Sequence, residues 1–298
     1  MRILVTGRHG QVVRSLVERA SAHPQFELIT LGRPELDLAD TESVSSAIHT
    51  TKPDLVISAA AYTAVDQAED EPEYARAINA RGVGSVAKAA ADLGVPVIHL
   101  STDYVFSGES DGAYSEDDST GPRTVYGQTK LEGEIALAAA NPRHLILRTA
   151  WVYSPFGKNF IKTILHLGET RDHLSVVSDQ WGNPTSAIDI ADAILHVAGR
   201  LGADSGFSKY GIYHLAGTGH TNWSGFARAI FARAEALGRR HVDVADITTA
   251  QYPTKALRPL NSRLNTEKFS RDFGWNAPEW QQSMSKVVIR LLQESENR

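Results

Sequence analysis

The hydrophobic pattern in the first half of the chain alternates between two periods. Short apolar runs, several of them rich in β-branched residues, predict buried strands, whereas apolar residues spaced three or four positions apart predict helices. The predicted strands are 2–6, 26–31, 55–58, 95–100 and 145–148, and the predicted helices are 11–20, 41–50, 73–93 and 126–140. This alternation predicts an α/β fold built on a Rossmann-like, doubly wound parallel sheet.

The pattern loosens after residue 150. Aromatic residues and loop-forming residues separate shorter predicted helices at 189–201 and 222–237, and 202–212 is predicted as a surface loop. We therefore expect a sheet domain over 1–150, which also receives part of 185–215, and a smaller C-terminal substrate-binding lobe formed mainly by 151–298. Because no flexible linker separates the two, we expect them to share an interface.

Composition excludes several classes of protein. The 298 residues contain no cysteine, which excludes a disulfide framework, a thiolate nucleophile and any Cys-ligated metal site. The net charge is −5, and no basic block is present, so a nucleic-acid partner is not expected. The apolar runs are too short to cross a bilayer and the chain does not begin with a charged-then-apolar leader, so we expect a cytoplasmic protein without a membrane partner.

A glycine-containing turn follows the first predicted strand. Gly7 and Gly10 lie between this strand and the first predicted helix, where glycines allow a sharp turn and a close backbone approach to a pyrophosphate. Val13 replaces the third glycine of the dinucleotide-binding fingerprint, so the helix either stands off the strand or has smaller neighbours there. The context indicates a nicotinamide dinucleotide site, and an ordinary strand-to-helix turn is the alternative.

The end of the second predicted strand bears on the choice of dinucleotide. An acidic residue at this point pairs with the ribose of NAD, but the sequence here reads Gly32-Arg33, and an arginine pairs with a 2′-phosphate. We therefore expect NADPH as the cofactor, with NADH as the alternative. The other interpretation of Arg33 is a solvated loop charge.

A tyrosine and a lysine lie four residues apart on one face of the predicted helix 126–140. The ammonium group of Lys130 is expected to favour the phenolate of Tyr126 and to lower its pKa, which suits proton transfer near neutral pH. The spacing alone is weak evidence, because chance often produces it. Ser101 and Thr102 follow a buried predicted strand, so we expect them at the carboxyl end of the sheet, where ligands bind. For Thr102 the alternative is a hydroxyl that caps a turn.

Several strings along the chain are more specific together than any single motif. They are RILVTGRHGQV (2–12), SAAAYTAVDQAE (58–69), AINARGVGSVA (77–87), HLSTDYVFSG (99–108), YGQTKLEGE (126–134), LRTAWVYSPFGKNF (147–160), VVSDQWGNPT (176–185), IYHLAG (212–217) and LRPLNSRL (257–264). Together they resemble the extended short-chain dehydrogenase/reductase superfamily and, within it, the dTDP-4-dehydrorhamnose reductase family. The resemblance implies NADPH-dependent reduction of the 4-keto group of a dTDP-linked 6-deoxyhexose, with dTDP-4-dehydrorhamnose converted to dTDP-L-rhamnose.

The resemblance also implies roles for individual residues. Thr102, Tyr126 and Lys130 are expected to be catalytic, with Tyr126 protonating the keto oxygen while hydride passes to the adjoining carbon. The sugar nucleotide is expected to contact Thr102, Asp103, Trp151 and Asn159. The cofactor is expected to contact Gly7, Gly10, Gln11, Val12, Arg33, Asp37, Leu38, Ala60, Ala61, Tyr62, Ser101, Tyr126 and Lys130. A plain core position is the alternative for Trp151, and a loop-orienting role is the alternative for Asp103.

Departures from the family pattern bear on metal binding. Some members hold magnesium between subunits through glutamates, but the matching positions here are Ser15 and Ile188, which do not suit a hard cation. We predict no structural metal and leave a homodimer open. His99 and His214 lie in apolar surroundings and are predicted as satisfied core residues. The alternative functions are a 4-ketoreductase for another nucleotide sugar and a non-catalytic NAD(P)-binding regulatory subunit.

Overall fold

The computed structural model describes residues 1–296 and shows strands and helices along its whole length. The strands are β1 (Arg2–Thr6), β2 (Glu27–Leu31), β3 (Leu55–Ser58), β4 (Val97–Thr102), β5 (His144–Thr149), β6 (Val152–Tyr153), β7 (His173–Val177), β8 (Trp181–Gly182), β9 (Thr185–Ser186), β10 (Gly211–His214), β11 (Thr221–Asn222), β12 (Asp243–Ile247) and β13 (Asn261–Ser262). The α-helices are α1 (Gln11–Ala20), α2 (Thr41–Thr51), α3 (Val65–Ala68), α4 (Pro72–Arg76), α5 (Val83–Asp92), α6 (Val125–Ala140), α7 (Phe160–Gly168), α8 (Ala187–Ala203), α9 (Trp223–Glu235), α10 (Glu267–Phe273) and α11 (Trp280–Glu296). A π-helical turn covers Ala77–Gly82, and 3₁₀ turns cover Asp103–Val105 and Thr249–Gln251.

A six-stranded sheet forms the centre of the fold. Its strand order is β10-β5-β4-β3-β1-β2, and all of its pairings are parallel. The chain runs from β1 to β2 on one side and then crosses to β3 on the other, so the strand order reverses between β1 and β3. Ligands bind outside the carboxyl ends of the strands at such a point. The predicted doubly wound parallel sheet is confirmed.

Helices cover both faces of the sheet, which explains why its strands are almost continuously apolar. In β1, Ile3 and Val5 pack in the core that includes α1 and α8, whereas Leu4 packs in the core that includes α2 and α5. This alternation follows from the two-residue period of a strand. α6 lies beside α5 on the second face, and this position brings its polar residues to the edge of the sheet.

The sixth strand of the sheet comes from beyond residue 150. α8 packs against α1, and β10 pairs with β5 so that Ile212 lies opposite Ile146. Residues 187–214 therefore complete the sheet domain. A separate apolar core, which includes Phe226 and Ile230 of α9, joins α7, α9 and α11 in the C-terminal half.

Several predicted bounds differ from the structure by one or two residues, and three elements are the most informative. The predicted helix 73–93 is helical along most of its length but contains the π-helical turn, where a Cβ at Gly82 would lie only 2.9 Å from Leu38 Cβ. The predicted strand 95–100 begins two residues later, because Pro96 has no N–H to donate to the sheet. The predicted loop 202–212 is shorter, since α8 continues to Ala203 and β10 begins at Gly211. No helix within residues 1–296 combines the length and the apolar character needed to cross a membrane.

Candidate active site

The turn after β1 borders a cleft at the carboxyl edge of the sheet. Gly7 has φ of +99°, a left-handed conformation that glycine adopts without strain, and its N–H donates to the Leu31 carbonyl at 2.6 Å. Gly10 is the N-cap of α1 and brings no capping side chain, so the first N–H groups of the helix are available to an anion. Val13 is accommodated because its neighbours Gly7 and Gly10 lack side chains, with Val13 Cγ2 3.4 Å from the position of a Cβ on Gly7.

Most of the predicted cofactor residues line two adjoining parts of this cleft. The first part has a volume of about 480 Å³, and the second has a volume of about 370 Å³. The first is lined by Gly7, Gly10, Gln11, Val12, Ala60, Ala61, Ser101, Tyr126 and Lys130, among others. The second is lined by Gly7, Ala60 and Ala61 again and by Arg33, Asp37 and Leu38. The turn thus connects the tyrosine–lysine pair at one end to Arg33 at the other.

Tyr62 is the one predicted cofactor residue that lines neither part of the cleft. Its hydroxyl donates to Glu71 Oε2 at 2.8 Å, and its N–H donates to Asn79 Oδ1 at 2.8 Å. Desolvation and the adjacent carboxylate of Glu71 raise the pKa of Tyr62 to about 12. The structure therefore shows Tyr62 bound to neighbouring protein groups beside the cleft.

Sequence reasoning missed two basic residues that line the cleft. Arg8 lies within the glycine turn, borders the second part and pairs with Glu35 at 2.9 Å. Lys158 borders the first part from the loop before α7. The position of Arg8 inside the turn is a signal that could have identified it. Lys158 reaches the cleft from about 150 residues further along the chain, so no local pattern indicates it.

α6 and β4 bring the three predicted catalytic residues close together: Tyr126 and Lys130 line the cleft, and Thr102 is buried beside Tyr126 outside that lining. Thr102 is the last residue of β4, and Tyr126 and Lys130 lie one turn apart on α6. A Cβ at Gly127 would collide with the Tyr104 carbonyl, so glycine allows α6 to approach this segment closely. The rings of Tyr104 and Tyr126 meet edge to face, with centroids 5.5 Å apart. These contacts fix the Tyr126 ring beside the end of β4.

The pKa of Tyr126 is shifted in the direction opposite to the one predicted from the sequence. Burial raises the pKa of Tyr126, and the neighbouring Thr102 hydroxyl offsets this only in part. Lys130 does not lower it, because its Nζ donates to the Leu100 carbonyl at 2.7 Å and lies 3.1 Å from His99 Nε2. Burial also lowers the pKa of Lys130 to about 8. The predicted lowering of the tyrosine pKa is therefore wrong for this structure, in which Tyr126 is a neutral phenol that can donate a proton.

A buried carboxyl group adjoins Thr102. The Thr102 hydroxyl donates to Asp103 Oδ1 at 2.9 Å, and within the described part of the chain Asp103 Oδ2 has no hydrogen-bond partner. Burial raises the pKa of Asp103 to about 6. An unpartnered buried oxygen beside the Thr102 hydroxyl suits contact with a polar group.

The C-terminal string LRPLNSRL contacts the same region. Arg258 Nη2 pairs with Asp66 Oδ2 at 2.5 Å, and its Nη1 lies 3.4 Å from the Tyr104 hydroxyl. Burial raises the pKa of Tyr104 to about 12. Arg258 thus connects three of the strings noted in the sequence, although no local pattern predicted that they meet.

Trp151 and Asn159 lie outside the residues that line the two parts of the cleft. Trp151 has φ of +47° and stacks on Trp223 with ring centroids 3.6 Å apart, and Gly182 makes room for its ring. Asn159 caps α7, and its Nδ2 donates to Gln11 Oε1 at 3.0 Å. The structure therefore gives both residues protein partners, and their contact with a sugar nucleotide stays a prediction.

The two histidines of the predicted core differ in their partners. Both rings are fully buried, and both nitrogens of His99 have partners. His214 Nδ1 lies 3.1 Å from the carbonyls of Tyr114 and Asn265, whereas His214 Nε2 is unpartnered among residues 1–296. The prediction of a satisfied ring is wrong for His214, because both carbonyls lie on the same side of it. No group of three possible metal ligands occurs in the described chain.

The chain is similar over its whole length to proteins of one known family. The family described as RmlD substrate binding domain matches residues 1–293. A dTDP-4-dehydrorhamnose reductase of Sinorhizobium fredii is 50% identical over 297 residues, which cover 100% of each chain. The chain belongs to the dTDP-4-dehydrorhamnose reductase family. This membership confirms the family predicted from the sequence strings.

Two solved structures of the dTDP-4-dehydrorhamnose reductase family have the same fold. The reductase of Clostridium acetobutylicum has a TM-score of 0.91 and 38% identity, covering 98% of this chain and 100% of that one. The reductase of Bacillus anthracis, solved in complex with NADP, has a TM-score of 0.90 and 32% identity, covering 97% and 99%. The Rossmann-like α/β architecture is therefore common to these members of the dTDP-4-dehydrorhamnose reductase family.

Proposed function

We propose that the protein uses NADPH to reduce the 4-keto group of a dTDP-linked 4-dehydro-6-deoxyhexose, converting dTDP-4-dehydrorhamnose to dTDP-L-rhamnose. The observation that carries this proposal is that Tyr126, with Thr102 beside it, and Lys130 line one end of a cleft bordered by the glycine turn. The name of the Sinorhizobium fredii relative supports the substrate, and the NADP complex of the Bacillus anthracis relative supports the cofactor.

The residues of the cleft fit a dinucleotide with a 2′-phosphate. Gly7 and Gly10 keep the turn free of side chains where a pyrophosphate would approach the first N–H groups of α1. Arg33 supplies positive charge in the second part of the cleft, Arg8 beside it is paired with Glu35, and Gly32 lies where an NAD site carries a carboxylate. This donor set favours NADPH over NADH.

The protein groups then have distinct tasks in the reduction. When bound, the nicotinamide supplies the hydride that reduces C4 of the sugar. Tyr126, a neutral phenol, donates its proton to the carbonyl oxygen as negative charge grows there. Thr102 is the hydroxyl next to that phenol, and the buried ammonium of Lys130, which lines the cleft, would hold the cofactor.

The sugar is expected to lie beside Thr102 and Asp103. Asp103 Oδ2 is the acceptor that we assign to a sugar hydroxyl, because Oδ1 accepts from Thr102 and the Ser262 hydroxyl near this carboxyl group makes no geometric hydrogen bond with Oδ2. Trp151 and Asn159 would then act from the periphery, with Trp151 bordering the sugar nucleotide and Asn159 holding Gln11 of the turn. This arrangement separates the groups that hold the cofactor from those that hold the sugar.

The test uses the purified wild-type protein, dTDP-4-dehydrorhamnose and NADPH. The absorbance of NADPH measures turnover, and NMR of the product identifies the sugar and its configuration at C4. We expect one dTDP-L-rhamnose for each NADPH oxidised. Cofactor binding without turnover would favour a regulatory subunit, and faster turnover of a different nucleotide sugar, or the other C4 epimer, would favour another 4-ketoreductase.

A further inference from the structure

A chain of polar groups lies buried behind the lysine of the cleft. Lys130 Nζ lies 3.1 Å from His99 Nε2, and His99 Nδ1 lies 3.0 Å from Ser58 Oγ. Ser58 and His99 are completely buried, and Lys130 is 2% exposed. Ser58 and His99 are directly opposite each other in the β3–β4 pairing, so the sheet register itself aligns the serine with the ring.

The ammonium group determines which ring nitrogen carries a proton. Lys130 has three N–H donors and no acceptor, so His99 Nε2 must present its lone pair to Nζ. A second positive charge on the ring would repel the ammonium at 3.1 Å in a dry interior. Burial and the charge of Lys130 both lower the pKa of His99. The ring is therefore neutral, with its proton on Nδ1 directed at Ser58.

Two other charged groups lie near these buried polar residues, Glu134 and Arg148, and they are paired with each other. Glu134 lies one turn beyond Lys130 on α6 and forms a buried ion pair with Arg148, with Arg148 Nη2 2.7 Å from Glu134 Oε2. Ser101 also donates to Glu134 Oε1 at 2.5 Å. The acceptors that contact Nζ directly are thus two neutral groups, the Leu100 carbonyl and the His99 ring.

We propose that His99 is a positioning residue, which holds the Lys130 ammonium at the wall of the cleft through Nε2, while Ser58 holds the ring. A lysine side chain has many rotamers, and two fixed acceptors use two of its three N–H groups. The third N–H is then directed towards the cleft, which Lys130 lines. A neutral imidazole leaves the full positive charge of the ammonium available there, whereas a carboxylate at this position would neutralise it. The consequence for catalysis rests on the proposed function, but the contact itself does not.

The first test is ¹⁵N NMR of the full-length protein labelled at histidine, with His99 assigned by the loss of its signals in His99→Gln. We expect the Nδ1–H tautomer in the wild-type protein. In Lys130→Met, where the ammonium is absent, we expect the signals of His99 to shift towards a mixture of tautomers. An Nε2–H tautomer in the wild-type protein, or identical His99 signals in Lys130→Met, would overturn the proposal.

The second test compares two substitutions of His99. His99→Gln retains an acceptor near the position of Nε2, whereas His99→Leu removes it and keeps a similar volume. Loss of one hydrogen bond to a charged group is expected to weaken NADPH binding and reduce kcat in His99→Leu by roughly 10- to 100-fold. His99→Gln is expected to stay within about 3-fold of the wild type, and Ser58→Ala to fall between the two.

A matched control tests whether the removal of any buried histidine would reduce NADPH binding. His214→Leu removes a ring that is equally buried but does not contact Lys130, and thermal unfolding measures the stability of every variant. If His99→Leu does not fold, the NADPH affinities of Ser58→Ala and His99→Gln are compared instead. A larger loss in Ser58→Ala supports the positioning role, and equal affinities would overturn it. Wild-type NADPH affinity in His99→Leu, or equal losses in His99→Leu and His99→Gln, would overturn the positioning role. If the tautomer and affinities are as expected but no 4-keto sugar is reduced, the proposed function fails and the positioning role stands.

Discussion

The two sides of the cleft are built in different ways. The turn side, formed by residues 7–10 and 60–61, follows two neighbouring strands directly and consists of backbone and small side chains, together with the side chains of Arg8 and His9. The lobe side lies beyond the residues that line the two parts of the cleft, and it is formed by Tyr104, Trp151 and Arg258, large side chains held by partners far away in the sequence. Arg258 contacts a tyrosine 154 residues away, and Trp151 stacks on Trp223.

The turn side suits binding of the cofactor phosphates, and the lobe side suits binding of the nucleotide sugar. Backbone approach on the turn side suits a phosphate group, which N–H groups recognise without side chains. Large side chains on the lobe side suit the varied surface of a nucleotide sugar. We therefore expect substitutions on the turn side to change the affinity for the cofactor and substitutions on the lobe side to change the KM for the sugar nucleotide.

The largest expected effect comes from the residue between the two sides. Tyr126→Phe removes the proton donor and should lower kcat by about 100-fold or more, while the Kd for NADPH stays within about 2-fold. Steady-state kinetics and a fluorescence titration with NADPH measure the two quantities. Tyr210→Phe, which changes a tyrosine beside Arg143 and outside the cleft, serves as the control. Near-normal kcat in Tyr126→Phe would remove this residue from the mechanism.

The next effect concerns Arg33, which lines the second part of the cleft beside the turn side. Arg33→Asp replaces the positive charge that we assign to the 2′-phosphate and should raise the Kd for NADPH by roughly 10- to 100-fold. The Kd for NADH should change little or fall. Titrations with both dinucleotides measure the ratio, and Arg8→Asp tests the second arginine in the same way. An unchanged ratio in both variants would show that the cleft does not distinguish the dinucleotides at this point.

Two glycine substitutions test whether the two sides act independently. Gly7→Ala introduces a Cβ at φ of +99°, which should cost about 1–2 kcal/mol of stability and weaken NADPH binding. Gly182→Ala places a Cβ about 2.5 Å from Trp151 Cε2, which should cost about 1–3 kcal/mol and raise the KM for the sugar nucleotide. Urea unfolding, titration and kinetics measure these effects. Gly112→Ala, at a position with open space, is the control, and equal changes of Kd and KM in both variants would contradict independence.

The last prediction concerns stability at acid pH. Burial lowers the pKa of His214 from 6.5 to about 3, so below pH 6.5 the unfolded chain binds a proton that the folded protein excludes. Stability from this group is therefore lost as the pH falls from 6.5 towards 3. Asp103, with its pKa raised from 3.8 to about 6, contributes the opposite slope between these values.

His214→Asn isolates the contribution of the histidine. An amide N–H retains a donor for the neighbouring carbonyls but does not titrate, so the free energy of unfolding should fall less steeply on acidification. Urea unfolding at several pH values measures the slope, and His166→Asn on the surface is the matched control. Parallel curves for the wild type and His214→Asn would show that His214 does not contribute to acid sensitivity.

Local patterns predicted the parts of the molecule that depend on neighbouring residues. The strands, the glycine turn and the spacing of Tyr126 and Lys130 follow from period, turn chemistry and helix geometry. The direction of Lys130 and the high pKa of Tyr126 could not be predicted, because both depend on how tightly α6 packs against β4. The contact of Arg258 with Tyr104 depends on chain topology for the same reason. The homodimer and the cytoplasmic location stay predictions.

The most direct measurement follows the hydrogen that the proposed reaction transfers. The protein is incubated with dTDP-4-dehydrorhamnose and NADPH that carries deuterium in the transferable position of the nicotinamide, and the product is examined by NMR. We expect dTDP-L-rhamnose with deuterium at C4 of the sugar, formed at least 100-fold more slowly by Tyr126→Phe. A protein that binds NADPH but transfers no deuterium to the sugar would contradict the proposed function.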